Sequence, residues 1–184
     1  MRPVYLPPWR IDIAVRDGVH PPIAATSLAR SIGAALAAAG APPPASIGLI
    51  LSDDAELAAL NEAHLGHDGP TDVLSFPLLP PGSFPVHDGE PPERRIGARP
   101  DGFTLPPGRR PYLGDIVVSV QRAVEQAVEG RGGHLGDRRW SPADALRLLV
   151  THGTLHVCGW DHAESAEEAA MRALELRLLG RAGA

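Results

Sequence analysis

Three histidines in the last quarter of the sequence have the spacing of a metal site. His152 and His156 lie four residues apart in a segment predicted to be helical, so both imidazoles project from one helix face. Gly159 can adopt the left-handed conformation that ends a helix, which would bring His162 back towards the same ion. Three nitrogen donors favour zinc, with a fourth position open as in catalytic sites. We therefore predict one zinc ion per chain, bound by His152, His156 and His162.

Two residues near these histidines have other predicted roles. Cys158 lies two residues after His156 and points to another face of the helix, so we predict that it packs in the core. Asp161 has two interpretations of equal weight. Its carboxylate either orients a ligand histidine or belongs to a solvated turn.

The spacing of the last two histidines also matches that of the metzincin proteases. Those enzymes carry a glutamate directly after the first histidine as general base, and this sequence has Gly153 there. Glycine has no side chain that accepts a proton. Peptide hydrolysis by that route is therefore disfavoured.

The composition excludes several other classes of protein. The chain has 184 residues, of which 43% are hydrophobic and 21% charged, and we expect one domain over residues 1–184. A single cysteine excludes a disulfide framework and a cysteine-rich zinc module. The sequence contains no apolar run of membrane-spanning length and no segment resembling a signal peptide, so we expect a cytoplasmic protein without a membrane partner. All 17 basic residues are arginine and the net charge is −5, which favours a local rather than a general nucleic-acid surface.

Hydrophobic periodicity predicts an α+β fold, with a small mixed sheet of about four strands packed with about five helices. The predicted strands cover residues 10–15, 46–51, 71–76 and 115–119. The predicted helices cover residues 22–39, 53–64, 120–129 and 141–157, and a last helix begins at Ser165. Asp53 and Ser141 have the positions of N-caps.

A Pro/Gly-rich loop insertion is predicted at about residues 78–112. This segment and its edges hold half of the 20 prolines and have no helical or strand period. It is interpreted either as an inert surface insertion or as a flap that faces the substrate, since it also carries several arginines.

Three segments of the sequence resemble the YbeY family of bacterial zinc-dependent endoribonucleases. They are the histidine segment 152–162, the segment 70–77 and the segment 113–116. The resemblance implies zinc bound by the three histidines and cleavage of single-stranded RNA in the maturation of small-subunit ribosomal RNA, at the 3′ end of 16S rRNA. It also implies a role in ribosome quality control, with the small ribosomal subunit and its assembly factors as partners and no action on DNA.

Two features depart from the family pattern. Many members have an arginine where this sequence has Leu65, and the insertion after Pro77 is longer than usual. The first departure leaves open a rival hypothesis, a zinc-stabilised module that binds ribosome components without cutting RNA. A peptidase is a less favoured third possibility.

The remaining candidate site residues fall into three groups. The catalytic candidates are His152, Asp72 and Asp115, the last two in segments that match the family. The candidates for phosphate binding are Arg109, Arg110, Arg122, Arg138 and Arg139. For His64 and His67 we predict solvent exposure rather than a second metal site.

Overall fold

The computed structural model describes residues 2–95, 110–129 and 140–182. Within these ranges, five strands form one mixed sheet in the order β1-β2-β3-β5-β4. The strands are β1 (Arg2–Leu6), β2 (Trp9–Val15), β3 (Ala45–Ser52), β4 (Val73–Pro77) and β5 (Tyr112–Ser119). Strands β2, β3 and β5 are parallel, while β1 and β4 pair antiparallel at the two edges. The predicted α+β class with a small mixed sheet is confirmed.

Strand β1 is the element that the sequence pattern did not predict. Residues 2–6 lie before the first predicted strand, and the structure pairs Arg2–Leu6 with β2 in an antiparallel hairpin. An edge strand tolerates Pro3 because an edge residue can face solvent with the side that lacks the N–H.

Five helices of the described ranges lie close to their predicted bounds. They are α1 (Ala25–Ala38), α2 (Asp54–Leu65), α3 (Val120–Val128), α4 (Pro142–Val157) and α5 (Ser165–Ala182). The side chain of Asp53 accepts the backbone N–H of Glu56, and that of Ser141 accepts the backbone N–H of Asp144. Both predicted N-caps are therefore confirmed. No helix within the described ranges is both long and apolar enough to span a membrane.

Helix α4 approaches the sheet closely at Gly153. A Cβ atom placed on Gly153 would lie 2.6 Å from Cγ2 of Ile116 and 3.1 Å from Cγ2 of Val73. The hydroxyl of Ser75 donates to the carbonyl of Gly153 at 3.1 Å, which ties the helix to β4. Because Gly153 has no side chain, the helix that carries His152 and His156 can lie this close to the sheet.

The insertion is not a simple surface loop over its first part. The segment contains single 3₁₀ turns at Pro81–Ser83 and Pro92–Arg95, and Phe84 is only 4% exposed within the main core. One buried aromatic residue thus anchors a segment that has no period of its own and is otherwise exposed or half-buried, an anchor that the prediction of a surface loop did not include. Residues 96–109 of the insertion lie outside the described ranges, and Tyr112, at its predicted end, is the first residue of β5.

Replacing Gly153 by alanine should lower the free energy of unfolding by about 1 kcal/mol. Overpacking a buried site costs about 1–3 kcal/mol, and the better helix propensity of alanine returns up to about 1 kcal/mol. Urea unfolding measures the difference. Gly180→Ala is the matched control, because a Cβ there would meet nothing within 4 Å, so this variant should be slightly more stable. A Gly153→Ala protein as stable as Gly180→Ala would contradict the packing argument.

Candidate metal centre

The structure brings the three predicted ligands together. His152 and His156 lie on the last turns of α4, and Gly159 follows with a left-handed φ of 85°. The chain then reverses, so that one ring nitrogen of each of His152, His156 and His162 lies within 4.8 Å of the others. Within the described ranges this is the one group of three or more such side chains that can hold a metal ion.

Two hydrogen bonds fix which nitrogens face the centre. Nδ1 of His156 donates to the carbonyl of Trp160 at 2.9 Å, since a carbonyl can only accept. Nδ1 of His152 lies 2.8 Å from Oε1 of Glu175, which likewise accepts the proton. The two Nε2 atoms therefore carry lone pairs, and they face each other at 3.0 Å.

The facing Nε2 atoms of His152 and His156 form a site that is suited to a cation. Two lone pairs at such a distance repel each other unless a positive charge lies between or beside them. Nitrogen ligands at about 2.0–2.1 Å from a tetrahedral zinc are themselves separated by roughly 3.3 Å. The arrangement thus needs only a small adjustment to hold an ion of this size.

Burial keeps His156 in the form that binds metals. Desolvation, together with the nearby His152 and His162, lowers its pKa from 6.5 to about 4. The imidazole is consequently neutral at neutral pH, and no proton has to be displaced from this side chain before it acts as a ligand.

Glu175 is a residue beside the candidate metal centre that the sequence analysis missed. Its carboxylate is completely buried and reaches His152 from α5, across 23 positions of sequence. A carboxylate on the far nitrogen of a ligand histidine fixes the orientation of the ring and raises its basicity. The available signal was an acidic residue on the apolar stripe of α5, where Met171, Leu174 and Leu178 are buried.

The structure also shows the surroundings of Cys158 and Asp161, the two residues near the histidines with other predicted roles. Cys158 is 1% exposed within the core cluster, and burial raises the pKa of its thiol to about 12, so the predicted packing role is confirmed. The carboxylate of Asp161 accepts the backbone N–H of His162 at 2.8 Å, while its own N–H donates to Glu167. This side chain therefore orders the turn that presents His162.

Two concave spaces meet at the histidines. The larger, a groove of about 770 Å³, runs past His152, His156 and His162 and is bordered by Leu65 and Asp72. A smaller cavity of about 160 Å³ shares Asp72, His152 and His162 and extends towards α5. The metal centre is thus open to a ligand from the groove side.

Of the two predicted aspartates, the structure brings one to the histidines. Asp72 borders both spaces, and Nε2 of Gln126 donates to its Oδ2 at 3.1 Å. Asp115 accepts the hydroxyl proton of Tyr112 instead. Because Ile116 faces α4 and neighbouring strand residues point to opposite faces, the side chain of Asp115 lies on the other face of the sheet.

The predicted arginines do not converge on the groove within the described ranges. Arg122 forms an ion pair with Asp54 at 3.1 Å, and Arg110 donates to the carbonyl of Pro8. The other three, Arg109, Arg138 and Arg139, lie outside the described ranges. Arg172, which the sequence analysis did not select, lines the smaller cavity beside His152 and His162.

His64 and His67 are exposed, as predicted. The ring of His64 contacts Phe76 edge to face, with centroids 5.2 Å apart, and the carbonyl of His67 accepts a hydrogen bond from Asn61. Neither belongs to the metal-binding group.

The fold and the three converging histidines define a small α+β protein in which a histidine cluster in an open groove can hold a metal ion. The family model for Endoribonuclease YbeY matches residues 20–183. The chain therefore belongs to the YbeY family of hydrolytic endoribonucleases, and the family resemblance seen in the sequence is confirmed.

Curated relatives are similar in sequence to this chain over most of their length. Endoribonuclease YbeY of Roseiflexus sp. (strain RS-1) is 41% identical over 74% of this chain and 72% of its own. The protein of the same name from Roseiflexus castenholzii is 34% identical over 94% and 92%. That of Moorella thermoacetica is 39% identical over 86% of both chains.

Replacing Glu175 by glutamine should weaken metal binding by about tenfold, because groups that orient a ligand histidine contribute about 10–100-fold to affinity. Glutamine keeps the volume and an acceptor oxygen but removes the charge that makes the His152 ring more basic. Competition with a chromophoric chelator measures the dissociation constant for zinc. Glu164→Gln, at an exposed position before α5, is the control and should bind as the wild type does. Equal affinity of the two variants would contradict the role of Glu175.

Proposed function

We propose that this chain is a zinc-dependent endoribonuclease that cleaves single-stranded RNA. The observation that carries the proposal is the convergence of His152, His156 and His162 in an open groove, in a chain of an endoribonuclease family. Three nitrogen donors and an open fourth position are typical of catalytic zinc. When bound, zinc supplies the Lewis-acid chemistry of phosphodiester hydrolysis.

Asp72 is the residue best placed to move a proton at this centre. It borders the same spaces as His152 and His162, and Gln126 holds one of its oxygens. The other oxygen is 3.4 Å from the hydroxyl of Thr71. We assign Asp72 the role of accepting the proton of the attacking hydroxyl group, for which a carboxylate beside the scissile phosphate is suited.

The walls of the groove favour an unpaired strand. Leu65 is 57% exposed at its border, and Leu79 also lines the groove. Apolar side chains can pack against bases that are not stacked in a duplex, whereas a regular RNA helix hides its bases from such contacts. The apolar wall therefore supports single-stranded RNA as the substrate class.

Arg172 provides the phosphate contact in this proposal. It is the arginine among the described residues that lines a space shared with the histidines. Its Nε is buried without a hydrogen-bond partner among those residues, while one terminal nitrogen pairs with Glu168 at 2.6 Å. A phosphate in the cavity would compete with Glu168 for the terminal nitrogens of the guanidinium.

The biological substrate in this proposal is small-subunit ribosomal RNA near the 3′ end of 16S rRNA. The small ribosomal subunit and its assembly factors are then the partners, in the cytoplasm, and ribosome quality control is the wider process. The family membership of the chain supports this part.

A module that binds ribosome components without cutting RNA is the rival function. The net charge of −5 opposes the approach of RNA phosphates. Leu65 can pack against a base, but it stands at the groove where many family members have an arginine and so offers no phosphate contact, which favours the rival.

We expect His156→Ala to lose both bound zinc and RNA cleavage. Elemental analysis should find about one zinc per wild-type chain and almost none in the variant. Cleavage of a defined single-stranded RNA should fall by about 100-fold or more, since losing a group that only orients a ligand already costs about 10–100-fold. His67→Ala, at an exposed histidine outside the metal-binding group, is the control.

The same zinc-loaded samples decide between the rival functions. The wild type should cut single-stranded RNA faster than duplex RNA and should leave a peptide substrate intact. A protein that binds zinc and RNA but cuts neither RNA would favour the binding module. A wild type without zinc, or a His156→Ala variant with unchanged cleavage, would overturn the proposal.

Arg172→Gln should weaken binding of single-stranded RNA and lower its dependence on salt. Losing one phosphate contact should reduce the slope of log affinity against log salt by about 0.7. Fluorescence anisotropy with chelator present measures binding without cleavage. The control is Arg16→Gln, because Arg16 pairs with Glu56 and lines neither space at the histidines. Equal salt slopes for the two variants would contradict the assignment.

A further inference from the structure

The first part of the insertion, residues 78–95, packs against the chain on both sides of His162. The turn after α4 contacts it closely, since a Cβ placed on Gly159 would lie 3.2 Å from Cα of Pro81. At Gly89, whose φ is 78°, an added Cβ would lie 2.5 Å from the backbone nitrogen of Glu167. The segment therefore touches both chain segments that flank His162, the turn before it and the start of α5 after it.

His87 makes an aromatic contact between the insertion and the turn. Its ring stacks on that of Trp160, with centroids 4.0 Å apart and planes inclined by 10°. Its side chain is 8% exposed, and its Nε2 lies 3.4 Å from Oε1 of the completely buried Glu167. Such stacking holds the two rings in one relative orientation.

Trp160 and Glu167, the two residues outside the insertion that His87 contacts in this way, also hold the metal ligands in place. The carbonyl of Trp160 accepts the Nδ1 proton of His156, which leaves Nε2 of that ring for the ion. The carboxylate of Glu167 accepts the backbone N–H of Asp161, the residue directly before His162. A contact chain thus runs from the insertion through the turn to two of the three ligands.

We propose that His87 is a positioning residue of the metal centre, and that the insertion braces the turn carrying His162. His162 is itself exposed and comes from a turn, unlike the two helical ligands, so it has the most freedom to lose on binding. The stacking of His87 on Trp160 removes part of that freedom before the ion arrives. The inference rests on the metal centre of the proposed function, and it adds a structural role for the insertion.

The test compares zinc affinity of the full-length wild type, His87→Ala and His87→Phe by competition with a chromophoric chelator. We expect His87→Ala to bind zinc about tenfold more weakly, within the range that groups supporting a metal ligand contribute. His87→Phe keeps an aromatic ring on Trp160 and should stay within about threefold of the wild type. The control is His20→Ala, an exposed histidine outside the metal-binding group, which should bind as the wild type does.

Urea unfolding of the metal-free variants separates positioning from stability. If His87→Ala does not fold, His87→Leu takes its place as the non-aromatic variant. Of His87→Phe and His87→Leu, only His87→Phe should then retain zinc affinity. The inference is overturned if the non-aromatic variant binds zinc as tightly as the wild type, or if His87→Phe binds as weakly as the non-aromatic variant. A wild type that binds no zinc would overturn the metal centre itself, and with it the role of His87. A wild type that binds zinc while the His87 variants deviate from the expected order would overturn only the role of His87, so the two failures are distinguishable.

Discussion

The close approach of α4 to the sheet is the constraint on which the site depends. The helix has two tasks, because its apolar side fills the core with residues such as Leu146 and Leu155 while its edge carries His152 and His156. Gly153 lies between the two ligands and has no room for a side chain. Any change in the spacing between helix and sheet would therefore displace both ring nitrogens relative to Asp72, which is attached to the sheet at the start of β4.

Carboxylates lie on two sides of the histidine rings. Glu175 is buried against His152, and Asp72 borders the groove. A buried carboxylate is costly unless a hydrogen bond or a positive charge compensates it. The histidine protons compensate in part, and a divalent ion at the ring nitrogens would complete the compensation. The donor set and its surroundings thus point to the same ligand chemistry.

How well the sequence predicted this protein depended on the range of the interactions involved. The helices, their caps at Asp53 and Ser141, and the convergence of the three histidines all follow from spacings of a few residues, and the sequence reveals such spacings directly. The contact between His152 and Glu175 joins two helices, and no local pattern pairs residues so far apart.

The same limit applies to the insertion and to the arginines. The absence of a period at residues 78–95 predicted a surface loop, because a single buried anchor such as Phe84 produces no period. Arg122 was selected for its position near the predicted site helix, whereas its side chain is directed to Asp54. Arg172 became visible as a site residue only once α5 was seen to line the cavity.

The three ligands come from one short stretch of chain, residues 152–162. Closing so short a loop costs little chain entropy, so a partly folded chain can gather these ligands before the sheet has formed. Contacts of low sequence separation form early in folding, whereas Asp72 and Glu175 reach the same place only through long-range contacts. Since an ion that also binds the unfolded chain stabilises the native state less, zinc should raise the unfolding free energy by less than its native affinity alone implies.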